Sequence, residues 1–141
     1  MKVAFDTDVI VASRRSRSGA SHALLRALQA GELDAVASVP MMLEYEAVLM
    51  RSEQRLATGM SAQDVQAFLD ELAVLLIPVT TWFLWRPRLR DPADEMVLDA
   101  AINGAAEAIV TFNVRDFLPG AAVFNLRILT PAETLLEIRR G

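Results

Sequence analysis

Short hydrophobic runs alternate with longer amphipathic stretches along this chain of 141 residues. Each short run is too brief for a helix and predicts a strand, at 3–5, 34–38, 77–81, 108–111 and 123–129. The amphipathic stretches predict helices, several opened by Pro or by a Ser or Asp cap, at 19–28, 40–49, 61–75, 91–103 and 131–138. Polar or irregular composition predicts loops at 13–18 and 82–90, with fraying over 51–59. This alternation favours an α/β fold with a central, mostly parallel sheet and helices on both faces, as one domain over 1–141.

The amino-acid composition excludes several classes of protein and of functional site. The longest apolar stretch, 72–85, is interrupted by Pro78 and by threonines, so it is shorter than the roughly 20 residues of a membrane span. No signal peptide is visible, and we expect a cytoplasmic protein. The absence of cysteine excludes disulfides and thiolate zinc sites, while Lys2 and His22 are the only lysine and histidine. A net charge of -4 gives no general attraction to nucleic acid, so polar chemistry is left to carboxylates, hydroxyls and arginines.

Acidic and amide side chains fall where the predicted strands end or the next helices begin. The residues concerned are Asp6, Asp8, Glu44, Asp94, Asn113 and Asp116. The carboxyl ends of parallel strands share one edge of a sheet, where ligands bind. Steps of three and four from Asp94 reach Leu98, Ala101 and Ala105, so Asp94 is expected on the inward, apolar face of its helix. By the same counting Glu44 is expected to point inward, whereas Glu95 and Asp99 are expected to face water.

Each acid also has a purely structural interpretation. Asp6 or Asp8 could cap the helix after the first strand, and Asp94 could interact with a helix dipole. Glu44 and Asp116 could be solvated. Four acids at converging strand ends with no lysine nearby would nevertheless repel one another, and a hard divalent cation removes this difficulty, since carboxylate oxygens suit Mg²⁺ or Mn²⁺.

Five segments resemble motifs of the PIN-domain ribonucleases, in the order of that family. Phe5-Asp6-Thr7-Asp8-Val9-Ile10 is similar to the opening motif, hydrophobic-Asp-Thr-Asn-hydrophobic. The other four are similar to the motifs that follow it, and they are Met42-Leu43-Glu44-Tyr45-Glu46-Ala47-Val48-Leu49, Arg90-Asp91-Pro92-Ala93-Asp94, Ile109-Val110-Thr111-Phe112-Asn113-Val114-Arg115-Asp116-Phe117 and Ile128-Leu129-Thr130-Pro131-Ala132-Glu133. Each motif is short, but together they span the chain. The group they most resemble is the VapC-like toxins of toxin–antitoxin systems.

The resemblance implies a PIN-like α/β/α sandwich and a Mg²⁺- or Mn²⁺-dependent endoribonuclease. One acid from each motif, Asp6, Glu44, Asp94 and Asp116, would be catalytic and bind metal, supported by Thr7, Asp8 and Asn113. Asp8 departs from the family, which mostly has Asn there. An ionised Asp cannot donate the hydrogen bond that an amide gives.

The implied mechanism uses a metal-activated water, so no side chain needs to act as a base. Contacts to RNA must then come from arginines. The candidates are Arg14, Arg15 and Arg17 after the first strand, followed by Arg86, Arg88 and Arg90 before the third motif. The resemblance also implies a cognate antitoxin protein. A homodimer is expected from the apolar composition, using surfaces at Met41–Met42 and Trp82–Trp85.

Two alternatives stay open at this stage. A strand followed by Asp-x-Asp also begins the haloacid dehalogenase-like phosphatases, but these need a downstream lysine that this chain lacks. A PIN-like module that binds RNA or a protein without cutting is the second alternative, and the substitution at Asp8 leaves room for it.

Overall fold

A parallel sheet of five strands forms the centre of the molecule, in the order β3-β2-β1-β4-β5. The computed structural model describes residues 1–81, 89 and 91–140. The strands are β1 (Lys2–Phe5), β2 (Asp34–Ala37), β3 (Ile77–Pro78), β4 (Ala108–Val110) and β5 (Arg127–Leu129). The helices are α1 (Thr7–Arg15), α2 (Ala20–Gln29), α3 (Val39–Leu49), α4 (Ser52–Thr58), α5 (Ala62–Leu75), α6 (Pro92–Asn103), α7 (Val114–Phe124) and α8 (Pro131–Arg140). The prediction of an α/β fold with a parallel central sheet is confirmed.

The strand order explains the layers. The chain moves one way from β1 to β3 and then returns through β4 to β5, so right-handed crossovers place the two sets of helices on opposite faces. Helix α6 packs across β1, β2 and β4, while α1 contacts α2 and α3. The direction of winding reverses beside β1, and the carboxyl ends of strands at such a point form the usual ligand crevice.

The inner strands are buried because they are apolar on both faces. Val3, Ala4, Phe5, Ile109 and Val110 are completely shielded from solvent. Parallel pairing places Phe5 opposite Val110, so the residues that follow them leave the sheet side by side. This register determines which polar groups meet at the sheet edge.

Several predicted boundaries were wrong. Helix α1 begins at Thr7 and includes Ser13, Arg14 and Arg15, which were predicted to lie in a loop. The segment predicted to fray contains helix α4. The strand predicted over 123–129 is confined to Arg127–Leu129, because α7 runs through Phe124 despite an internal Pro119. The predicted loop at 82–90 lies outside the described residues except for Leu89.

Helix α7 was missed because its sequence contains Pro119 followed by Gly120, a pair that usually ends helices. The structure shows why glycine is tolerated here. A Cβ at Gly120 would lie 2.7 Å from Leu98 Cδ2, so the missing side chain allows α7 to approach α6 closely. No helix among the described residues is long and apolar enough to cross a membrane.

Candidate active site

Asp6 lies at the junction between β1 and α1 and forms hydrogen bonds that extend the sheet and cap the helix. Its backbone N–H donates to the Val110 carbonyl at 3.0 Å, which continues the sheet by one step. Its Oδ1 accepts from the Thr7 N–H at 2.8 Å and caps α1. Only 7% of Asp6 is exposed, and burial raises the pKa of its carboxyl above the ordinary value. A buried carboxylate is thus held at the carboxyl end of the central strand.

Thr111 links the ends of β1 and β4. Its hydroxyl donates to Asp6 Oδ2 at 2.7 Å and accepts from the Asn113 N–H at 2.9 Å. Thr111 is fully buried, so this hydroxyl has no access to water. It therefore fixes the orientation of the Asp6 carboxylate and, at the same time, the turn that follows β4.

Asp8, in the first turn of α1, accepts hydrogen bonds from the turn that follows β4. Its Oδ2 accepts from the Phe112 N–H at 3.1 Å and from Asn113 Nδ2 at 3.1 Å. Its Oδ1 is buried and lacks a hydrogen-bond partner among the described residues. Burial, and then the charge of Asp6, raise the pKa of Asp8 to about 7. Asp8 thus accepts from Asn113, and its raised pKa means that it is protonated more readily than an exposed carboxyl.

Asp94 approaches the same edge from α6. The helix begins at Asp91, whose side chain accepts from the Ala93 N–H at 2.9 Å, with Pro92 in the first turn, as predicted. The predicted inward stripe is confirmed for Leu98 and Ala101, which are fully buried, and Asp94 itself is half-buried. Its third predicted member, Ala105, is exposed, because α6 ends at Asn103 and Ala105 lies beyond it. Burial raises the pKa of Asp94 to about 6, with further contributions from the charges of Asp6, Asp91 and Asp116. Asp94 therefore lies within range of the charges of both Asp6 and Asp116.

The two acids predicted to face water on α6 are both partly buried. Glu95 accepts a hydrogen bond from the Leu89 N–H. Asp99 has a pKa raised to about 6, by burial and then by the charge of Glu95. Neither Asp6 nor Asp116 contributes to that shift. Asp99 therefore belongs to a separate environment on the same helix.

Glu44 is placed differently from the other candidate ligands. It is half-buried on α3, so the predicted inward orientation is only partly realised, and the fully buried residue is its neighbour Tyr45. The Tyr45 hydroxyl donates to the Phe5 carbonyl at 2.5 Å, directly beneath Asp6. No hydrogen bond connects Glu44 to Asp6, Asp94 or Asp116 in the part of the chain that is described. Asp116, in the first turn of α7, is exposed.

The acids at this edge lack a cationic partner within the described ranges. The ion pairs found there join the Met1 amino group to Glu107 and Arg127 to Glu137, both away from the site. Within residues 1–81, 89 and 91–140, no three acidic or histidine side chains are close enough together, as they stand, to hold a metal ion. The donor set is nevertheless all oxygen and mutually repulsive, which is the chemistry that a hard divalent cation offsets.

The predicted arginines have different surroundings. Arg14 lies over the Phe68 ring, 4.2 Å from its centroid, and lines a cavity between α2 and α5. Arg15 is exposed and lines a cleft next to Asp8, whereas Arg17 is exposed beyond the end of α1. Arg86, Arg88 and Arg90 lie outside the described residues, as do Trp82 and Trp85. The dimer surface predicted at Met41–Met42 was wrong for Met41, which is only 1% exposed and lies on the core side of α3, while Met42 is partly buried against the core.

The model of the PIN domain family matches residues 2–115, which is most of the chain. The chain belongs to the PIN domain family. Members of this family are generally nucleases that use divalent metals.

A chain of the VapBC2 complex from Rickettsia felis has a similar fold, and that complex was crystallised with a DNA fragment from the VapBC2 promoter. The TM-score is 0.63 at 16% identity, and the alignment covers 92% of this chain and 98% of that one. No curated protein matches the sequence.

Three residues of this PIN domain matter to the site but were not singled out from the sequence. They are Tyr45, Thr111 and Phe112. Thr111 and Tyr45 look like ordinary strand and helix residues, and only the register of β1 with β4 brings the hydroxyl of Thr111 to Asp6. Phe112 could have been noticed as an apolar residue between two polar ones, at the end of a strand.

Proposed function

We propose that this protein is a Mg²⁺- or Mn²⁺-dependent endoribonuclease and the toxin of a toxin–antitoxin pair. The observation that carries the proposal is the position of Asp94. Its pKa is raised to about 6 partly by the charges of Asp6 and Asp116, which reach it from two other elements. A bound divalent cation offsets such repulsion and lets the carboxylates stay charged together, which supports a metal site here. Membership of a family of metal-dependent nucleases supports the same conclusion.

Asp6, Glu44, Asp94 and Asp116 would hold one or two divalent ions. When bound, such an ion supplies a water that is acidic near neutral pH and positive charge to offset the scissile phosphate. Thr111 and Thr7 orient the Asp6 carboxylate through hydrogen bonds to its two oxygens. Asn113 and Asp8 hold the turn after β4 against α1. Carboxylates must lose their protons to bind metal, so binding is favoured above the raised pKa values.

A cleavage assay with matched variants tests this function. Single-stranded RNA is incubated with wild type, Asp94→Asn and Asp99→Asn, each with Mg²⁺, with Mn²⁺ or with EDTA. We expect wild type and Asp99→Asn to cut internal phosphodiester bonds only when metal is present. Asp94→Asn should be slower by about 100-fold or more, since losing even a partner of a metal ligand costs about 10–100-fold. Equal cleavage by Asp94→Asn, or cleavage in EDTA, would overturn the proposal, and RNA binding without cleavage would favour a non-catalytic module.

The toxin assignment rests on similarity to a chain of a VapBC complex. We propose that the partner is a cognate antitoxin protein encoded next to this chain, with a segment that covers the acidic edge of the sheet. Co-purification with the product of the adjacent reading frame, with loss of RNA cleavage in the complex, is expected. A neighbouring product that neither binds nor inhibits would contradict this part of the proposal.

We also propose a cytoplasmic homodimer built from a single domain over 1–141. Val39 and Leu43 are 71% and 59% exposed, and their spacing places them on one side of α3. A second copy would cover them. Light scattering after size exclusion should give twice the monomer mass for wild type and a smaller mass for Leu43→Glu.

A further inference from the structure

A cleft of about 470 Å³ opens beside the acids, between α1, α4 and the turn after β4. Its volume lies in the range of about 300–1,000 Å³ that holds small organic ligands. The residues that matter in its wall are Thr7, Asp8, Val11, Arg15, Gln54 and Phe112. Thr7 and Asp8 follow Asp6 directly, so anything bound in this cleft lies next to the candidate metal site.

Phe112 gives the cleft an aromatic wall. The residue is 53% exposed although it follows the fully buried Thr111. Its position is fixed because its N–H donates to Asp8 Oδ2 at 3.1 Å. Exposing a large apolar ring at the end of a central strand forgoes the free energy that burial of the ring would contribute. A flat ligand that stacks on the ring would recover that energy.

Two oxygens in the wall of the cleft lack hydrogen bonds. Gln54 Oε1 and Asp8 Oδ1 are both buried, and neither has a partner among the described residues. A ligand that carries N–H groups can pair with them at no cost to existing hydrogen bonds. A nucleobase combines such groups with a flat aromatic face. A phosphate inside the cleft would face the oxygen atoms of Asp8 and Gln54, which are hydrogen-bond acceptors, whereas the exposed guanidinium of Arg15 at its rim attracts a phosphate.

We propose that this cleft binds one unpaired nucleobase of the RNA substrate, adjacent to the bond that is cut. The base stacks on Phe112 and donates to Gln54, while Arg15 contacts a flanking phosphate. The base must be unpaired, because a base inside a helix has both faces covered and its edge occupied. The inference rests on the proposed ribonuclease function and adds to it a cleft that holds one base beside the bond that is cut.

Binding of short fluorescent RNA tests the proposal without cleavage. Six-nucleotide RNAs are titrated in Mg²⁺ with Asp94→Asn protein, so that the RNA is not consumed, and abasic residues are placed at each position in turn. One abasic position should weaken binding by about 5- to 150-fold, the range for loss of one stacked base. Phe112→Ala should weaken binding of the intact RNA by the same factor and abolish sensitivity to that abasic position. Phe112→Trp should retain both the affinity for intact RNA and the sensitivity to that abasic position.

Two matched controls separate the cleft from the general surface. Leu118→Ala removes another half-exposed apolar side chain, outside the lining of the cleft, and should leave binding unchanged. When log affinity is plotted against log salt concentration, Arg15→Ala should make the slope shallower by about 0.7, as expected for loss of one phosphate contact on a single strand. Arg139→Ala, on α8 near α2, should leave that slope unchanged.

The outcomes distinguish the cleft from the catalytic function. If Phe112→Ala binds every RNA as tightly as its parent, while wild type still cleaves in a metal-dependent way, the base site is wrong and the ribonuclease proposal stands. If Phe112→Ala and the abasic position together weaken RNA binding by the product of their separate factors, the base stacks elsewhere and the proposal is overturned. If no RNA is bound and none is cleaved, both proposals fail.

Discussion

The Thr111 hydroxyl donates a 2.7 Å hydrogen bond to Asp6 Oδ2, between residues that lie 105 positions apart in the sequence. Both side chains are buried, so the bond is formed away from water. It exists because β1 and β4 are neighbours in register, and it holds the most buried acid of the site in one orientation. Removing the hydroxyl therefore tests how the fold positions the chemistry.

Thr111→Val keeps the shape of the side chain but loses the hydroxyl. Two groups then lose their partner in a buried site, the Asp6 carboxylate and the Asn113 N–H, so we expect a loss of about 1–3 kcal/mol in unfolding free energy. Urea unfolding measures this, and Thr111→Ser, which keeps the hydroxyl, is the control. A valine variant as stable as wild type would show that the bond is unimportant.

Tyr45→Phe tests the buried contact beneath the site. The hydroxyl donates to the Phe5 carbonyl at 2.5 Å, and its loss leaves a buried acceptor without this partner. We expect a loss of about 1–2 kcal/mol in unfolding free energy with metal affinity preserved, since no ligand is changed. Parallel urea and calorimetric measurements check both statements. Loss of metal binding without loss of stability would instead assign Tyr45 to the site itself.

The stability of the metal-free protein should fall as the pH rises from about 4 to 7. Asp94 has a pKa raised to about 6, so the folded protein holds this proton more tightly than the unfolded chain does. The resulting stabilisation is complete below the unfolded pKa of about 3.9 and is lost as the pH passes through the folded value. Urea unfolding in EDTA at pH 5 and pH 8 measures this change in the free energy of unfolding.

Asp94→Asn removes that titration, so its stability should change less between pH 5 and pH 8 than that of wild type. Asp99→Asn is a second useful comparison, because Asp99 also has a pKa raised to about 6 but belongs to a different environment. Adding Mg²⁺ should restore stability at pH 8 in wild type and Asp99→Asn only. An identical pH response in wild type and Asp94→Asn would contradict the assignment.

Asp8→Asn introduces the residue that the family mostly has at this position. Because the pKa of Asp8 is raised to about 7, the side chain is mainly protonated at pH 5 and mainly charged at pH 8. The substitution should therefore be nearly neutral at pH 5 and stabilising by about 1–2 kcal/mol at pH 8, the moderate size reflecting partial screening by solvent. Urea unfolding of wild type and Asp8→Asn at both pH values measures the difference in unfolding free energy. A destabilised variant at pH 8 would mean that the charge of Asp8 is needed for the fold.

The strand ends were predictable because buried parallel strands are short apolar runs that stop abruptly. Asp6 after β1 and Asn113 after β4 could therefore be placed at one edge from the sequence. Helix α1 could not be bounded correctly, since Asp6-Thr7-Asp8 is typical of a turn, and here the cap follows the strand without any loop. Thr111 and Phe112 gained their roles only through strand register and through the packing of α1 and α4 around the cleft.

Calorimetric titration with Mn²⁺ tests the central claim, that carboxylates from separate elements form one metal site. Wild type and Asp99→Asn are compared with Asp6→Asn, Asp94→Asn, Asp116→Asn and Glu44→Gln at pH 7.5. We expect wild type and Asp99→Asn to bind Mn²⁺ with equal affinity. Asp6→Asn and Asp94→Asn should bind at least about tenfold more weakly. If Asp94→Asn binds Mn²⁺ as tightly as wild type, or if Asp99→Asn loses as much affinity, the proposed metal site is wrong.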